Sequence, residues 1–433
     1  MGIDLTLRGR PRAGWIRRGR VDLSTVAAWL RSECAAELES LDEDETPDGQ
    51  PRLLAWLHPA AESVEILGLP DGEITVSART TPTGPGYHFY VTRLFQKLGE
   101  EQRIDWMPAD STASYDDTGF FFGAGAGDVY LHMDRWLTTI AQLILERAEE
   151  GDRAFSLGMP LQTGFAQLDF ANTPLGPRSR EWVARVAAEG LEADTRVATD
   201  FFPWPREGQD RDYWFRRAMV QLWAQAVWRP MKDDGERRLL QRIDAGLAKA
   251  WALDPADSPA SPGEEWPWRE WRELREWGEI RSDLDGEIER RASAVAEDRP
   301  LSGFRRHEVV HRLMGGWSIR LPGSMAVRTE GRTWQALDTD RAVMLALFER
   351  AGPGSAAGGE VHWAYVEESL GHSARALLEE PAGEIELYQL HGLVEAGSQG
   401  ATVTVVFGRA EELEWALGVW RSVRCLPARK STV

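Results

Sequence analysis

"GFRRHEVVHRLMGGWSIRLP", residues 303–322, admits two secondary structures, and the choice between them decides a fold and a chemistry. As a helix starting near Ser302, it puts His307 and His311 four apart on one face, with Glu308 beside the first. That is the HExxH pattern of zinc metallopeptidases, in which both imidazoles hold Zn²⁺ and the glutamate polarises the zinc-bound water. As a strand, it turns His307, Val309, His311 and Leu313 to one side and Glu308, Val310, Arg312 and Met314 to the other. Gly315-Gly316 then lead into a second strand, "WSIRLP". The helix has room for only about three turns before the glycine pair. Zinc also needs a third ligand, and Met314 and Trp317 stand where the metzincin continuation has glycine and histidine. Glu367, Glu368 and His372 follow later, at no spacing that selects one of them. Arg305, Arg306 and Arg312 crowd the segment with charge that opposes a cation. Glu308 as the catalytic residue, with His307 and His311 as metal ligands and the third ligand unknown, is therefore the lesser reading.

Downstream, "MAVRT", "RTWQAL" and "AVMLALFE" continue as strands with turn residues between them. "GPGSAAGG" reads as a loop and "HWAYVEESLGHSARALLEE", residues 362–380, as a helix. "EIELYQLHGLVEA" and "ATVTVVFG" make a long hairpin around Gly397 to Gly400, and "EELEWALGVWRSVR" closes with a helix. The order β-β-β-β-α-β-β-α predicts an α+β domain with an antiparallel sheet over residues 300–433. On "WSIRLPGSM", "LDTDRAVMLAL", "ELYQLHGLVEAGSQGATVTVVFG" and "WALGVWRSVR", this last third resembles a PsbP-like domain. The resemblance implies a small non-catalytic binding module and brings no site residues with it.

Upstream of the opening stretch, "DPADSPASPGEE" marks a linker, and residues 254–299 combine it with a charged, Trp-rich helix. Two amphipathic helices within residues 209–253 are joined closely enough to pair as a hairpin. Residues 1–208 read as an α/β domain. A helix spans 24–41 with Ser24 as its N-cap, and the acidic "DEDETPDGQ" breaks it. Pro70-Asp71-Gly72 turn a hairpin between two β-rich runs. Two strand–loop–helix units then favour a parallel sheet, one passing through "TTPTGPGYH", the other from "GFFF" through "GAGAG". Thr81–Pro85 and Thr173–Pro177 share the pattern TPxGP, too short an echo to establish a duplication.

Composition removes several function classes. The chain carries 69 acidic and 50 basic side chains, net −19, a field that repels nucleic-acid backbones. No apolar run is long enough for a membrane helix, so neither nucleic acid nor membrane is an expected partner. Only Lys97, Lys232, Lys249 and Lys430 are lysines among the 50 bases, the bias of a GC-rich bacterial gene. Cys34 and Cys425 are the two cysteines, which fits a reducing, cytoplasmic setting.

Three further features carry possible chemistry. Thr81, Tyr87 and His88 sit where open α/β sheets bind ligands, past the end of a strand. Gly123, Gly125 and Gly127 precede a helix, but GxGxG is not a nucleotide fingerprint, and Asp128 and Asp134 add charge where a phosphate would lie. Trp266, Trp268, Trp271 and Trp277 belong to a set of 20 tryptophans and read equally well as a partner interface or as cement between domains. Without a complete catalytic constellation, the sequence predicts a non-catalytic binding or scaffolding component of a bacterial protein assembly, with a protein partner and no cofactor. The alternatives are a zinc-dependent hydrolase at 307–311 and a small-ligand binder using loops 81–88 and 123–127.

Overall fold

The computed structural model describes residues 2–12, 20–109, 113–159, 163–189, 201–253, 266–330, 333–349, 363–369, 372–381 and 387–425. The predicted linker at 254–265 and the "GPGSAAGG" loop lie outside the described residues. Two compact units result: Met1–Met159 with Gln167–Ala226 and Pro230–Ser302, and Pro160–Ala166 with Val227–Arg229 and Gly303–Val433. The chain thus mixes helix and strand, with antiparallel sheets and helices through its middle.

In the first unit, the main sheet comprises β1 (Asp4–Pro11), β2 (Ser40–Glu45), β3 (Pro51–Trp56), β4 (Val64–Gly68), β5 (Ile74–Arg79) and β6 (Ile104–Trp106), with burial alternating along β1, β4 and β5. Their order is β2-β3-β4-β5-β1-β6, and the two-residue β7 (Tyr115–Asp116) also pairs with β1. Every pair is antiparallel, so the parallel sheet favoured by the sequence does not form. The first strand–loop–helix unit is nevertheless real locally. β5 crosses through α2 (Pro85–Glu101) to β6, and β1 inserts between them and runs against both. In this split crossover β5 and β6 run parallel to each other, but antiparallel β1 is the neighbour of both.

Helix α1 (Leu23–Glu33) is shorter than predicted and is capped by Asp22, which accepts from Ser24 N at 3.0 Å, so Ser24 is not the cap. The acidic stretch after it forms β2, an exposed edge strand whose Asp44 pairs with Arg52 of β3 at 2.6 Å. Acidic side chains on a sheet edge discourage edge-to-edge association. "GFFF" is not a strand: Phe120–Phe122 make a 3₁₀ turn between left-handed Gly119 and Gly123, which opens into α3 (Ala126–Glu149).

The TPxGP copies also part ways. The first launches α2. The second is the turn between β10 (Ala171–Thr173) and β11 (Gly176–Arg178), in a small sheet with β8 (Phe155–Ser156). β9 (Thr163–Phe165), between β8 and β10 in sequence, belongs to the second unit. Helix α4 (Arg180–Glu189) follows, and then the predicted hairpin of α5 (Arg211–Ala224) and α6 (Asp234–Leu253). These helices, with α7 (Trp268–Trp277) and α8 (Asp285–Ala294), all fall within the first unit.

In the second unit, the opening stretch resolves as strands. β12 (Glu308–Arg312) pairs antiparallel with β13 (Trp317–Pro322) around a 3₁₀ turn at Met314–Gly316, where Gly315 takes φ 68°. β9 and β21 (Arg424–Cys425) flank them in the order β21-β13-β12-β9. A second sheet contains β14 (Ala326–Glu330), β15 (Thr333–Leu337), β16 (Ala342–Glu349), β17 (Tyr365–Ser369), β18 (His372–Glu379), β19 (Tyr388–Ala396) and β20 (Gln399–Phe407). Its order is β14-β15-β16-β20-β19-β18-β17, antiparallel throughout.

β17 and β18 overturn the helix predicted at 362–380. Ala374 and Ala376 are buried at alternate positions, and β18 pairs with β19 from Ser373↔Glu395 to Glu379↔Gln389, so cross-strand pairing overrides the helical preference of Ala, Leu and Glu. The final helix, α9 (Leu413–Ser422), lays Leu417 and Trp420 into a core with Ile319, Leu390, Val403 and Phe407.

Candidate functional site

His307 lies just before β12 in extended backbone and His311 within it, so the two histidines of the HExxH pattern separate. Residues four apart on a strand lie about 13 Å apart, too far for both imidazoles to reach one ion at a bond length of about 2 Å. His307 is exposed, whereas His311 is buried with its ring 5.3 Å from that of Trp334. Burial, followed by the charge of Arg305, lowers the His311 pKa to about 4 and keeps the imidazole neutral. Among the described residues, no three His, Cys, Asp or Glu side chains group closely enough to hold a metal.

Glu308 has a different setting. It lines a groove of about 590 Å³ in the second unit, a size that suits a ligand segment. One wall is the outward face of β12 and β13, where Glu308 lies opposite Pro322 and Val310 opposite Arg320. The other is a stripe of α9, with Trp415, Gly418, Val419 and Ser422 at helical spacing. Ser422 joins the walls, since its Oγ accepts from Arg320 N at 3.0 Å and donates to Val419 O at 2.6 Å. Gly418 borders open space on this side, since a Cβ there would meet no atom within 4 Å.

Arg320, Arg421 and Arg424 line the groove beside the carboxylate of Glu308. Their ion pairs are exposed: Arg320 lies 3.7 Å from Glu308, and Arg421 lies 2.6 Å from Glu367 and 3.9 Å from Glu414. Exposed pairs of this type contribute about 0–1 kcal/mol each and exchange readily for an incoming anion. The result is a groove that gathers three arginines, with apolar Val310, Pro322, Trp415 and Val419 in its walls, on a chain of net charge −19.

The predicted ligand loops lie in the first unit, and His88 anchors the first of them. Its Nδ1 is 3.0 Å from Thr80 Oγ1 and its Nε2 2.9 Å from Thr118 Oγ1, with Asp116 Oδ1 at 3.4 Å. Burial would raise the Asp116 carboxyl. The hydrogen bond and charge of His88, with the Phe121 and Thr118 amides, bring it down instead to about 2. Thr81 Oγ1 accepts from Ile3 N at 2.6 Å, and Tyr87 is buried beside His58. This closed network fastens the loop before α2 to the turn after β7. With both His88 nitrogens engaged and the ring fully buried, it offers no face to a substrate. Gly123 and Gly127 are exposed, and Gly125 caps α3 with Asp128 Oδ2 3.1 Å from its amide, so a carboxylate already occupies that helix terminus.

Nor do three of the four predicted interface tryptophans stand free. Trp266, Trp268 and Trp271 are buried, stacked with interplanar angles of 20–22°, and Trp251 packs edge-on against the first two. Trp271 Nε1 donates to Asp244 of α6 at 2.8 Å, and Phe215 of α5 meets Trp266 at 5.0 Å. They cement helices within the first unit. Trp277 is half-buried.

The groove arginines were missed because their cluster is assembled from three separate elements. The one available signal was the strand register of 308–312, which puts Glu308 and Val310 on the polar side. In comparisons with known proteins, the chain matches no family model and no curated protein.

Proposed function

We propose that the chain is a non-catalytic binding component of a protein assembly, and that the groove between β12–β13 and α9 receives an acidic, apolar-anchored segment of a partner protein. The observation that carries this reading is the gathering of Arg320, Arg421 and Arg424 around walls of Val310, Pro322, Trp415 and Val419, on a chain that is otherwise strongly acidic. Charge complementarity selects the occupant: arginine presents a planar donor fork to carboxylates, while the apolar walls reward leucine-sized anchors. The resemblance of the last third to PsbP-like domains points to a binding module as well. A reducing, cytoplasmic setting fits Cys34 and Cys425, both unpaired thiols. No helix among the described residues is long and apolar enough to cross a membrane.

The test is fluorescence anisotropy with a labelled peptide of alternating glutamate and leucine, and a lysine–leucine peptide as control. Binding of the acidic peptide alone, weakened by salt and by Arg320→Ala with Arg424→Ala, supports the reading. Equal binding of both peptides, or of neither, overturns it.

A further inference from the structure

The seven-stranded sheet of the second unit turns one face to the core, where Ala336, Val343, Leu390, Val403 and Val405 are buried on the side of α9. Strand pairing sends the alternate residues to the opposite face, in rows across neighbouring strands. One row sets Met344, Thr404, His391 and Leu377 side by side, and the next sets Ala346, Thr402 and Leu393. On β15, β16 and β20 no residue of this face is charged, in a chain of which 27% is charged. The charges stand at its margins, with Arg328 on β14, Arg375 and Glu379 on β18, and Glu395 near the end of β19. A charge-depleted centre inside a polar rim is the anatomy of a protein interface.

The main sheet of the first unit shows the opposite treatment. Among its outward residues, Arg79 pairs with Asp4 at 2.9 Å, Arg8 pairs with Glu73 at 2.6 Å, and Thr6 meets Ser77 at 3.2 Å. Polar side chains of this kind suit a sheet face to water. On the second unit's sheet, Phe348 instead lies across Gly400, where a Cβ would come within 2.3 Å of its ring, and it stays 40% exposed. Polar groups on this face are bonded within it. His391 Nδ1 lies 3.3 Å from Thr404 Oγ1 and its Nε2 3.2 Å from Glu379, and Arg328 donates to Gln335 Oε1 at 3.0 Å. Covering the face leaves these bonds intact, so it avoids the cost of orphaned donors and acceptors.

We propose that this face is the contact between two copies of the chain, packed sheet on sheet about a twofold axis. With strands about 4.8 Å apart and about 3.3 Å per residue along them, the sheet offers roughly 800 Å², the share each partner brings to a standard stable interface. A broad sheet face is matched by another of its kind stacked on it, and a twofold contact lays the patch on its own copy. Charge permits this pairing. The net −19 of each copy is carried outside the patch, so no like charges oppose each other across its centre. A partner selected by charge finds nothing at that centre to recognise. The groove beside α9 is on the other side of the sheet, so the two surfaces act independently.

The test is sedimentation velocity on the full chain over a range of concentrations, at low and at high salt. We expect a dimer that tightens as salt screens the repulsion between two acidic copies. Met344→Glu and Leu393→Glu should each weaken it at least about tenfold, since each buries an unpaired charge in the contact. Gly418→Leu, in the groove on the other side, should leave it unchanged. The wild-type measurement needs no substitution and stands even where a variant folds poorly. A chain that is monomeric up to about 0.1 mM at both salts overturns the proposal, because a standard interface binds at micromolar concentration or better. So does a dimer that salt loosens, one untouched by both glutamates, or one lost in Gly418→Leu.

Discussion

His311 shows how a residue that spells a metal motif serves packing instead. Its ring sits against Trp334, buried and neutral, with a pKa lowered from 6.5 to about 4. In the unfolded chain the imidazole takes up a proton below about pH 6.5, and in the fold it does not until about pH 4. Stability contributed by the neutral ring is therefore complete above pH 6.5 and is lost as pH falls towards 4, by at most about 3 kcal/mol. Urea unfolding of the second unit at several pH values checks this: His311→Leu should flatten the dependence between pH 6.5 and 4, and an unchanged slope would assign it to other groups. Trp271 makes a comparable case in the first unit, fully buried in the tryptophan stack with Nε1 on Asp244. Trp271→Ala should cost about 3–5 kcal/mol, seen as a large fall in melting temperature. Half-buried Trp277 should tolerate alanine far better, and equal losses at the two positions would contradict the packing described.

At the scale of elements, α9 both covers the second unit's core and walls its groove. Trp420 and Leu417 face inward, while Gly418 leaves space on the groove side. Gly418→Ala should therefore raise stability by about 0.5–1 kcal/mol, because glycine is the poorer helix former and the added methyl meets nothing. A lowered melting temperature would show that the groove face of α9 is packed rather than open. Elements such as these were legible in sequence where a local signal sufficed. The turn at Pro70-Asp71-Gly72, the α5–α6 hairpin, β13 to β16 and the β19–β20 hairpin each carry their own periodicity and turn residues. β17 and β18 were not legible, since "HSARALLE" is rich in helix formers and only its neighbour β19 makes it a strand. The antiparallel first sheet was hidden for a similar reason. Nothing near β5 or β6 announces that β1, some 65 residues before β5, inserts between them. As for sites, the sequence singled out Glu308 but not its setting, because the groove's arginines meet only through pairing of distant strands with the closing helix.

Over the whole molecule, the second unit is discontinuous in sequence. β9 adds Thr163–Phe165 to the edge of β12, and Arg306 lies 3.5 Å from the ring centroid of Trp228. Arg229 donates to Ser324 O at 2.9 Å and sits 3.4 Å from Asp338. Gly303 must be glycine, at φ 130°, because a Cβ would strike Trp228 Nε1 at 2.1 Å. A fragment of residues 303–433 alone lacks β9 and Val227–Arg229, so it should expose the β12 edge and be digested by protease faster than the same region of the full chain. Equal resistance would show that the upstream segments contribute nothing. The central claim is that this unit's groove binds an acidic partner segment, and Gly418→Leu tests it most directly. The leucine side chain enters the groove while leaving the core and every arginine in place. The measurement is anisotropy of the labelled glutamate–leucine peptide against wild-type chain and Gly418→Leu, with melting curves for both. Peptide binding lost in a variant that melts like wild type is the predicted result. Binding of equal affinity to both chains would contradict the account.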